Sequence, residues 1–254
     1  MNVIAVASGK GGAGKSFVVA NLAIILSKAG YNILAIDADI KLANLELLFG
    51  IEGCENNLQK VLKGEISVEE AIHHKYGVDI LPGGLSVENI FLDIRLIDAL
   101  FYKLGREKKY DYILVDCPAG LGEDTIAVIT CSTNVLLVTN PEITALTDAY
   151  KTRLASERVN TRIVGTVVNM VGKGRNELPK PLIEKYLGKI IGVIPFDRGV
   201  VDSIDRGVPY VLYNPDSKIT REFVKIAEHV TGERFTLKTD EDKKKKFRGF
   251  SLWF

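Results

Sequence analysis

The chain contains 254 residues, of which 33 are basic and 32 acidic, so its formal net charge is +1. This balance excludes recruitment of nucleic acid or membrane by an overall positive field, so any attraction to polyanions must come from a local patch. The length suits one large α/β core, and no stretch approaches the roughly 18 apolar residues of a membrane-spanning helix. Three scattered cysteines without a C-x-x-C pair, Cys54, Cys117 and Cys131, indicate reduced thiols in a cytoplasmic protein.

The first predicted strand, Val3 to Ala7, leads into the glycine-rich stretch GKGGAGKS and then into an apolar helix. This stretch fits the phosphate-loop pattern G-x-x-x-x-G-K-[ST], whose glycines let backbone N–H groups surround a polyphosphate at a helix N-terminus. Lys15 can then reach the β- and γ-phosphates, and Ser16 can hold Mg²⁺. A glycine-rich turn without a ligand is the alternative. The residues expected to bind the nucleotide are Gly9, Gly11, Gly12, Ala13, Gly14, Lys15, Ser16 and Phe17.

The second predicted strand, Asn32 to Asp37, is followed closely by another acid, Asp39. Ligands of open parallel sheets bind outside the carboxyl ends of the strands, so both carboxylates are expected to face the phosphate loop. The alternative for either acid is an ordinary helix N-cap. The next segment, Ile40 to Gly53, is predicted to be a loop with a short helical pattern.

Two short helices are predicted next, Asn57 to Leu62 and Ser67 to His74, and the second begins with a capping box. Its adjacent histidines, His73 and His74, are expected to lie on the surface rather than to bind a ligand. Val78 to Leu81 then forms a strand that ends at a Pro-Gly-Gly turn.

The next predicted helix and strand are Phe91 to Leu104 and Tyr110 to Asp116. The strand places the Asp116 carboxylate at its carboxyl tip, where it can orient Mg²⁺ or the waters around it. In the turn that follows, the Gly120 amide is a candidate sensor of a γ-phosphate. The inner face of the helix is expected to carry Leu92, Leu96, Ile97 and Leu100.

The remaining chain repeats strand and helix in turn, which predicts an α/β fold with a mainly parallel, twisted β-sheet and helices on both faces. Asn169 and Pro195 end two of these strands and are candidates for a base pocket. The predicted strands are Asn134 to Thr139, Arg162 to Asn169 and Lys189 to Ile194. The predicted helices are Thr144 to Arg158, Pro181 to Leu187, Arg198 to Arg206 and Ile219 to Val230.

Residues 1–235 are expected to form one domain, and residues 236–254 a flexible linker with a short basic amphipathic tail. Lys243 to Lys246 and Arg248 supply positive charge, and aromatic residues lie between and after them. An anionic membrane surface suits this composition. Docking of the tail on the core and binding of the tail to another protein are alternatives, and single-stranded nucleic acid is a further one. The aromatic residues are Phe247, Phe250, Trp253 and Phe254.

The phosphate loop contains a second lysine, Lys10, and in this it resembles the deviant Walker A motif of the MinD/ParA ATPases. Further stretches similar to MinD-type members are IDADIKLANLELLFG, VDCPAGLG, TNPEITALTDAY and IGVIPFDRGVVDSIDRGVPYVLYNPDSKI. The resemblance covers nearly the whole chain. It implies a P-loop NTPase with ATP or ADP and Mg²⁺ as cofactors.

The resemblance also implies roles at the phosphates and the metal. Lys15 would bind the β- and γ-phosphates, and Ser16 would ligate Mg²⁺. Asp116 would be the Walker B acid, and Asp37 would support the metal site.

Further implied roles concern the dimer, the attacking water and the base. Lys10 would reach across an ATP-bound dimer to the nucleotide of the other subunit, and Asp39 would position or activate the water. Asn169 matches the position that contacts adenine, with Pro195 nearby. The segment Ile40 to Ala43 departs from the Gly-Leu-Arg of bacterial members, which leaves contacts with their partner proteins open.

The function expected from this resemblance is that of a Mg²⁺-dependent ATPase in cell division, specifically in septum site determination. It would dimerise with ATP and bind membranes reversibly through residues 243–254, with a protein activator or cargo of unknown identity. A ParA-type or flagellar-placement ATPase that positions DNA or a protein cargo is the alternative, and direct nucleic-acid binding is less favoured because the net charge is nearly neutral. An iron–sulfur carrier is disfavoured by the absence of a C-x-x-C pair, and a nucleotide-dependent scaffold with negligible hydrolysis is a further alternative.

Overall fold

The computed structural model describes residues 1–51, 53–84 and 94–234, and these contain an eight-stranded sheet. Its strands are β1 (Asn2–Ala7), β2 (Ile33–Asp37), β3 (His73–Lys75), β4 (Val78–Leu81), β5 (Tyr112–Asp116), β6 (Asn134–Thr139), β7 (Arg162–Val171) and β8 (Ile190–Pro195). They are arranged in the order β3-β4-β2-β5-β1-β6-β7-β8. Every neighbouring pair is parallel except β3 and β4, which confirms the predicted mainly parallel sheet.

Helices cover both faces of this sheet because its strands carry apolar residues on both sides. In β1, Ile4 and Val6 pack into one apolar layer, whereas Val3, Ala5 and Ala7 pack into the other. The helices are α1 (Lys15–Lys28), α2 (Leu45–Phe49), α3 (Leu58–Leu62), α4 (Val68–Ala71), α5 (Ile97–Glu107), α6 (Glu123–Cys131), α7 (Ile143–Arg158), α8 (Lys180–Leu187), α9 (Gly199–Asp205), α10 (Tyr210–Tyr213) and α11 (Lys218–Thr231). Within the described ranges, no helix has the length and apolar character needed to cross a bilayer.

The prediction of a helix from Ser67 to His74 was wrong in its second half. The predicted capping box is present, but α4 ends at Ala71, and His73 and His74 belong to strand β3. The reason is a two-residue turn at Tyr76 and Gly77, whose φ angles are 53° and 80°. Positive φ at both positions is typical of the tight turns that join antiparallel strands.

The helix predicted from Phe91 to Leu104 begins and ends later than expected. Residues 91–93, together with the Leu92 side chain, lie outside the described residues. A 3₁₀ turn at Ile94–Leu96 precedes α5, which continues past Gly105 to Glu107. The prediction that Leu96 faces inward was wrong, since 46% of it is exposed, whereas Ile97 and Leu100 are buried as predicted.

The last core helix follows its prediction closely. The Ser217 hydroxyl accepts the Thr220 N–H at 3.0 Å at the start of α11, and Gly232 closes the helix with φ 76°. Helices α6 and α10 were not predicted. The division into a domain and a C-terminal tail stays a prediction, because residues 235–254 lie outside the described residues.

Candidate nucleotide site

The phosphate loop connects β1 to α1, and Gly14 forms the N-cap of α1 with φ 92°. A Cβ atom at Gly14 would lie 2.2 Å from the side-chain nitrogen of Asn169, so glycine is required for space as well as for conformation. The same Asn169 amide donates to the Ala13 carbonyl at 2.9 Å. Asn169, a residue of β7, therefore holds the phosphate loop in place.

The start of the loop is held by α7 and by a hydrogen bond within the loop. A Cβ atom at Gly9 would lie 2.1 Å from the backbone carbonyl of Asp148, which leaves no room for a side chain. The buried Ser8 hydroxyl donates to the Lys10 carbonyl at 2.7 Å. The phosphate loop is thus fixed at both ends, while Gly11 and Gly12 in its middle are exposed.

A cavity of about 260 Å³ opens above the loop, and we call it the phosphate cavity. It brings together residues from three separate parts of the sequence: the loop, the segment after β2 and the end of β5. Because these are the carboxyl ends of parallel strands, the three regions meet at one edge of the sheet, as predicted for Asp39. The same prediction was wrong for Asp37, which does not line the cavity because its carboxylate is buried and accepts backbone N–H groups. The lining residues are Gly11, Gly12, Gly14, Lys15, Ser16, Asp39, Leu42, Asn44, Asp116, Cys117 and Ala119.

Asp37 and Asp116 are directly paired across β2 and β5, and both are buried. The carboxylate of Asp37 accepts backbone N–H groups from Asp39 at 3.0 Å and from Asn44 and Leu45, each at 2.9 Å. Burial, and secondly the nearby charge of Asp116, still raise the pKa of Asp37 well above its ordinary value. In this structure Asp37 organises the loop that carries Asp39.

Asp116 has the features of a metal-binding acid. Burial raises its pKa to about 7, although a hydrogen bond from Ser16 and the charge of Lys15 act in the opposite direction. One of its oxygens, Oδ1, is buried without a hydrogen-bond partner. Buried polar atoms are rarely left unpaired, so an oxygen of this kind beside the Ser16 hydroxyl fits a hard cation such as Mg²⁺.

A second cavity of about 440 Å³ adjoins the first and shares Gly14, Ser16 and Asn44 with it. We call it the base cavity, because its walls are mostly apolar, as a pocket for a nucleobase requires. The predicted residues Phe17, Asn169 and Pro195 all line it. The remaining lining residues are Leu47, Leu48, Met170, Lys173, Ile194, Phe196, Asp197, Val200, Val201 and Ile204.

The Asn169 side chain is already engaged within the protein. Its amide nitrogen donates to Ala13, and its oxygen accepts the Met170 N–H at 2.9 Å. Met170 has φ 59°, an uncommon value for a residue other than glycine. Asn169 thus connects the base cavity to the phosphate loop, and its predicted contact with adenine stays a prediction.

Lys10 points away from both cavities toward the start of α7. Its ammonium lies 3.4 Å from the Glu142 carboxylate, and both side chains are about half exposed, at 45% and 55%. An exposed pair of this kind contributes little to stability, about 0 to 1 kcal/mol, and exchanges readily. Lys10 is therefore available for a different contact.

The structure separates the predicted site residues into three groups. The phosphate and base cavities together contain ten of them, and four line neither: Gly9, Lys10, Ala13 and Asp37. Sequence reasoning missed Asn44, which lines both cavities, and Glu142, the partner of Lys10. Neither residue lies in a recognisable spacing, although Asn44 is part of the stretch IDADIKLANLELLFG and Glu142 is part of TNPEITALTDAY.

The family model described as "ParA: NUBPL iron-transfer P-loop NTPase" matches residues 1–231. The chain belongs to the MinD/ParA family of P-loop NTPases. This MinD/ParA chain is 37% identical over 239 residues to an uncharacterized ATP-binding protein of Methanocaldococcus jannaschii, with 91% of this chain and 88% of that protein covered. The septum site-determining protein MinD of Thermotoga maritima is 31% identical over 250 residues, with 94% and 91% covered.

Solved structures of MinD are similar to the MinD/ParA chain over most of its length. The cell division ATPase MinD of Pyrococcus furiosus has a TM-score of 0.86 at 36% identity, covering 91% of this chain and 98% of that one. The septum site-determining protein MinD of Pyrococcus horikoshii, complexed with Mg-ADP, has a TM-score of 0.85 at 35% identity, covering 90% and 95%. These neighbours support nucleotide and Mg²⁺ binding in general terms.

Other relatives of the MinD/ParA chain have different names. They include a flagellum site-determining protein of Helicobacter pylori, 41% identical over 150 residues, which is 58% of this chain and 51% of that protein. An iron-sulfur cluster carrier protein of Aquifex aeolicus is 32% identical over 253 residues, with 89% of this chain and 66% of that protein covered. A MinD of Aquifex aeolicus in complex with MinC has a TM-score of 0.81 at 30% identity, covering 94% and 99%. Family membership therefore implies ATP hydrolysis. The relatives differ in the cellular roles that their names describe.

Proposed function

We propose that the chain is a Mg²⁺-dependent ATPase that dimerises with ATP and binds membranes reversibly through residues 243–254, in the spatial regulation of cell division. The observation that carries the proposal is the phosphate cavity, where Lys15, Ser16, Asp39 and Asp116 meet beside a cavity of suitable size for a base. A buried lysine and two acids at a helix N-terminus suit the transfer of a phosphoryl group to water.

The chemistry assigned to each residue follows from its surroundings. Lys15 is buried and supplies fixed positive charge toward the β- and γ-phosphates. Ser16 and Asp116 would hold Mg²⁺, which neutralises phosphate charge when bound. Asp39 is partly exposed at the mouth of the cavity, with its Oδ1 accepting the Leu42 N–H at 3.2 Å, and is suited to orient a water for in-line attack.

Dimerisation is tested with Lys10→Ala, measured by light scattering with ATP, ADP and no nucleotide. Wild type should double its mass with ATP only, because Lys10 exchanges Glu142 for the nucleotide of the second subunit. The variant should bind nucleotide as a monomer and fail to double. Lys151→Ala is the matched control, since Lys151 also pairs with an acid of α7, Asp148, at 3.2 Å. A Lys10→Ala protein that dimerises normally would remove Lys10 from the interface.

Membrane binding is tested by sedimentation with anionic liposomes, using the full chain and a truncation before Lys243. The full chain should pellet with ATP and much less with ADP, because two tails on a dimer gain by avidity over one weak tail. The truncation should stay in the supernatant under all conditions. Binding that ignores the nucleotide, or that survives truncation, would disprove the membrane switch.

A second candidate function is the positioning of DNA or a protein cargo. It is supported by the relative that is named a flagellum site-determining protein. This function predicts that the protein binds duplex DNA and shifts its electrophoretic mobility in an ATP-dependent and salt-sensitive way. Truncation of the tail should not change this shift. Iron–sulfur transport is not favoured by the residues of this chain. Its cysteines are far apart in sequence, Cys117 is buried, and the described residues contain no metal-binding group of three or more His, Cys, Asp or Glu side chains.

A further inference from the structure

A polar groove of about 460 Å³ lies at the amino edge of the sheet, where β7 and β8 begin. The nucleotide site occupies the carboxyl edge, so the groove is on the opposite side of the sheet. Its walls come from the end of α7, the start of β7 and the turn between α8 and β8. We call it the basic groove and define it by three lining residues, Arg153, Arg162 and Lys189, together with the adjacent His229.

The charges of the basic groove are only partly neutralised. Arg153 is engaged, since its Nε donates to Glu157 at 2.9 Å and its Nη1 to the Tyr186 carbonyl at 2.8 Å. Arg162 and Lys189 are exposed, and neither forms an ion pair with a carboxylate of the described residues. Two positive side chains thus remain open to a ligand in a chain whose net charge is only +1.

The positive charges of the basic groove affect the neighbouring His229 side chain. Its Nδ1 lies 3.4 Å from the Lys189 ammonium, which donates to it, and its Nε2 donates to the Val164 carbonyl at 3.2 Å. The ring is neutral in this arrangement. Burial lowers the pKa of His229, and the charges of Lys189 and Arg162 lower it further. An anion in the groove would offset these charges.

The last turn of α11 lies against the basic groove. His229 is in the last turn of α11, and its contact with Lys189 brings that turn to the groove. Just beyond it, Glu233 accepts a hydrogen bond from Tyr31 at 2.8 Å, which fixes the last described residues at the same edge. A tail starting here brings any surface that it binds close to the amino edge.

We propose that the basic groove is a second membrane contact, in which Arg162 and Lys189 bind the phosphate groups of anionic lipids once the tail has attached. The proposal rests on the membrane binding proposed above. Contact at the groove and at the tail would together fix the orientation of the core on the bilayer.

Two other ligands could occupy the basic groove, and the experiment distinguishes them from lipid. The acidic segment Asp240 to Asp242 begins six residues after Arg234, a span of up to about 22 Å, and could dock there to restrain the tail. Duplex DNA could also bind two exposed cations. Lipid is favoured, because the neighbouring tail has an aromatic and basic composition suited to a membrane interface and would hold the groove at that interface.

The experiment compares the full chain with the double variant Arg162→Glu/Lys189→Glu, with ATP and Mg²⁺ present. Binding is measured by sedimentation on phosphatidylcholine vesicles with and without phosphatidylglycerol. Each basic residue near an anionic surface contributes about 1 kcal/mol, so reversal of two charges should weaken binding to phosphatidylglycerol vesicles by about tenfold or more at low salt. The loss should shrink at high salt, because screening removes the interaction.

The matched control is Lys180→Glu/Lys218→Glu, which makes the same charge change on two exposed lysines. They start α8 and α11, the helices whose other ends border the basic groove, and so lie at the carboxyl edge. This control should bind within about twofold of wild type. The groove variant should keep its nucleotide affinity, which shows that it is folded.

Each other outcome overturns the proposal in a recognisable way. Equal losses in both double variants would indicate bulk charge, and unchanged binding of the groove variant would exclude a lipid contact. Stronger binding of the groove variant would indicate that the groove restrains Asp240 to Asp242. Loss of duplex DNA binding with unchanged vesicle binding would assign the groove to DNA. If wild type fails to bind vesicles with ATP, the proposed membrane function fails together with this inference.

Discussion

Gly14→Ala is expected to destabilise the chain by about 3 kcal/mol or more and to abolish nucleotide binding. The new Cβ would lie 2.2 Å from the Asn169 side-chain nitrogen and would force φ 92° on a residue that disfavours it. Asn169 cannot withdraw freely, because it also holds Ala13 and Met170. Urea unfolding without nucleotide measures the loss of stability, and calorimetric titration with Mg-ADP measures the loss of binding.

Gly12→Ala separates the two causes of this effect, because Gly12 also has a positive φ of 75° but nothing lies within 4 Å of its added Cβ. Its cost in unfolding free energy should be limited to backbone strain, about 1 to 2 kcal/mol. The comparison concerns stability only, since Gly12 also lines the phosphate cavity. Equal destabilisation by the two variants would show that the contact with Asn169 has no energetic role.

The main residues of the phosphate site could be predicted from the sequence, because each of them belongs to a recognisable local pattern. Lys15 and Ser16 follow the loop directly, and Asp39 and Asp116 lie at the ends of apolar strands. Parallel strands bring such ends to one edge of the sheet, whatever the details of packing. The sequence thus determines which residues meet at this edge, and the structure confirms their proximity.

Residues that act through long-range contacts could not be predicted in the same way. Glu142 was not singled out because its contact with Lys10 joins residues 132 apart in sequence. Asn44 was missed for a local reason, because it lies in a segment without a regular pattern. The shape of this segment is set by Asp37, whose carboxylate accepts the Asn44 and Leu45 N–H groups. The basic groove likewise depends on the packing of α11 against the start of β7 and β8.

Errors in secondary structure arose where local signals competed. The capping box correctly predicted the start of α4, but apolar spacing alone did not reveal that the helix would stop after one turn. The Tyr76–Gly77 turn determines the structure there, since antiparallel pairing of His74 with Asp79 requires it. Asp79 stabilises this edge by accepting hydrogen bonds from His74, Lys109 and Tyr110.

Asp116→Asn is expected to raise the stability of the nucleotide-free protein at pH 8 while it abolishes Mg²⁺-dependent hydrolysis. Burial raises the folded-state pKa of Asp116 from 3.8 to about 7. Between these values the folded state binds more protons than the unfolded state, so stability falls as pH rises through this window. Near pH 4 the carboxyl of Asp116 is protonated in the folded state and costs little, whereas at pH 8 its negative charge is buried without the metal.

The size of this cost follows from the pKa difference, at about 1.4 kcal/mol per unit. The variant should therefore gain about 2 to 4 kcal/mol of unfolding free energy at pH 8 and almost none at pH 4, with a shallower pH slope than wild type. Asp37 remains in the variant and keeps part of the pH dependence of stability, because its pKa is also raised by burial.

The rate of phosphate release by Asp116→Asn should fall about 100-fold or more, since the amide is a poor substitute for a carboxylate at Mg²⁺. Glu123→Gln, at an exposed carboxylate that starts α6, should change stability by less than about 1 kcal/mol at either pH. A variant that gains no more stability at pH 8 than at pH 4 would mean that Asp116 is already charged and solvated in the free protein, and would remove it as the acid that waits for a metal.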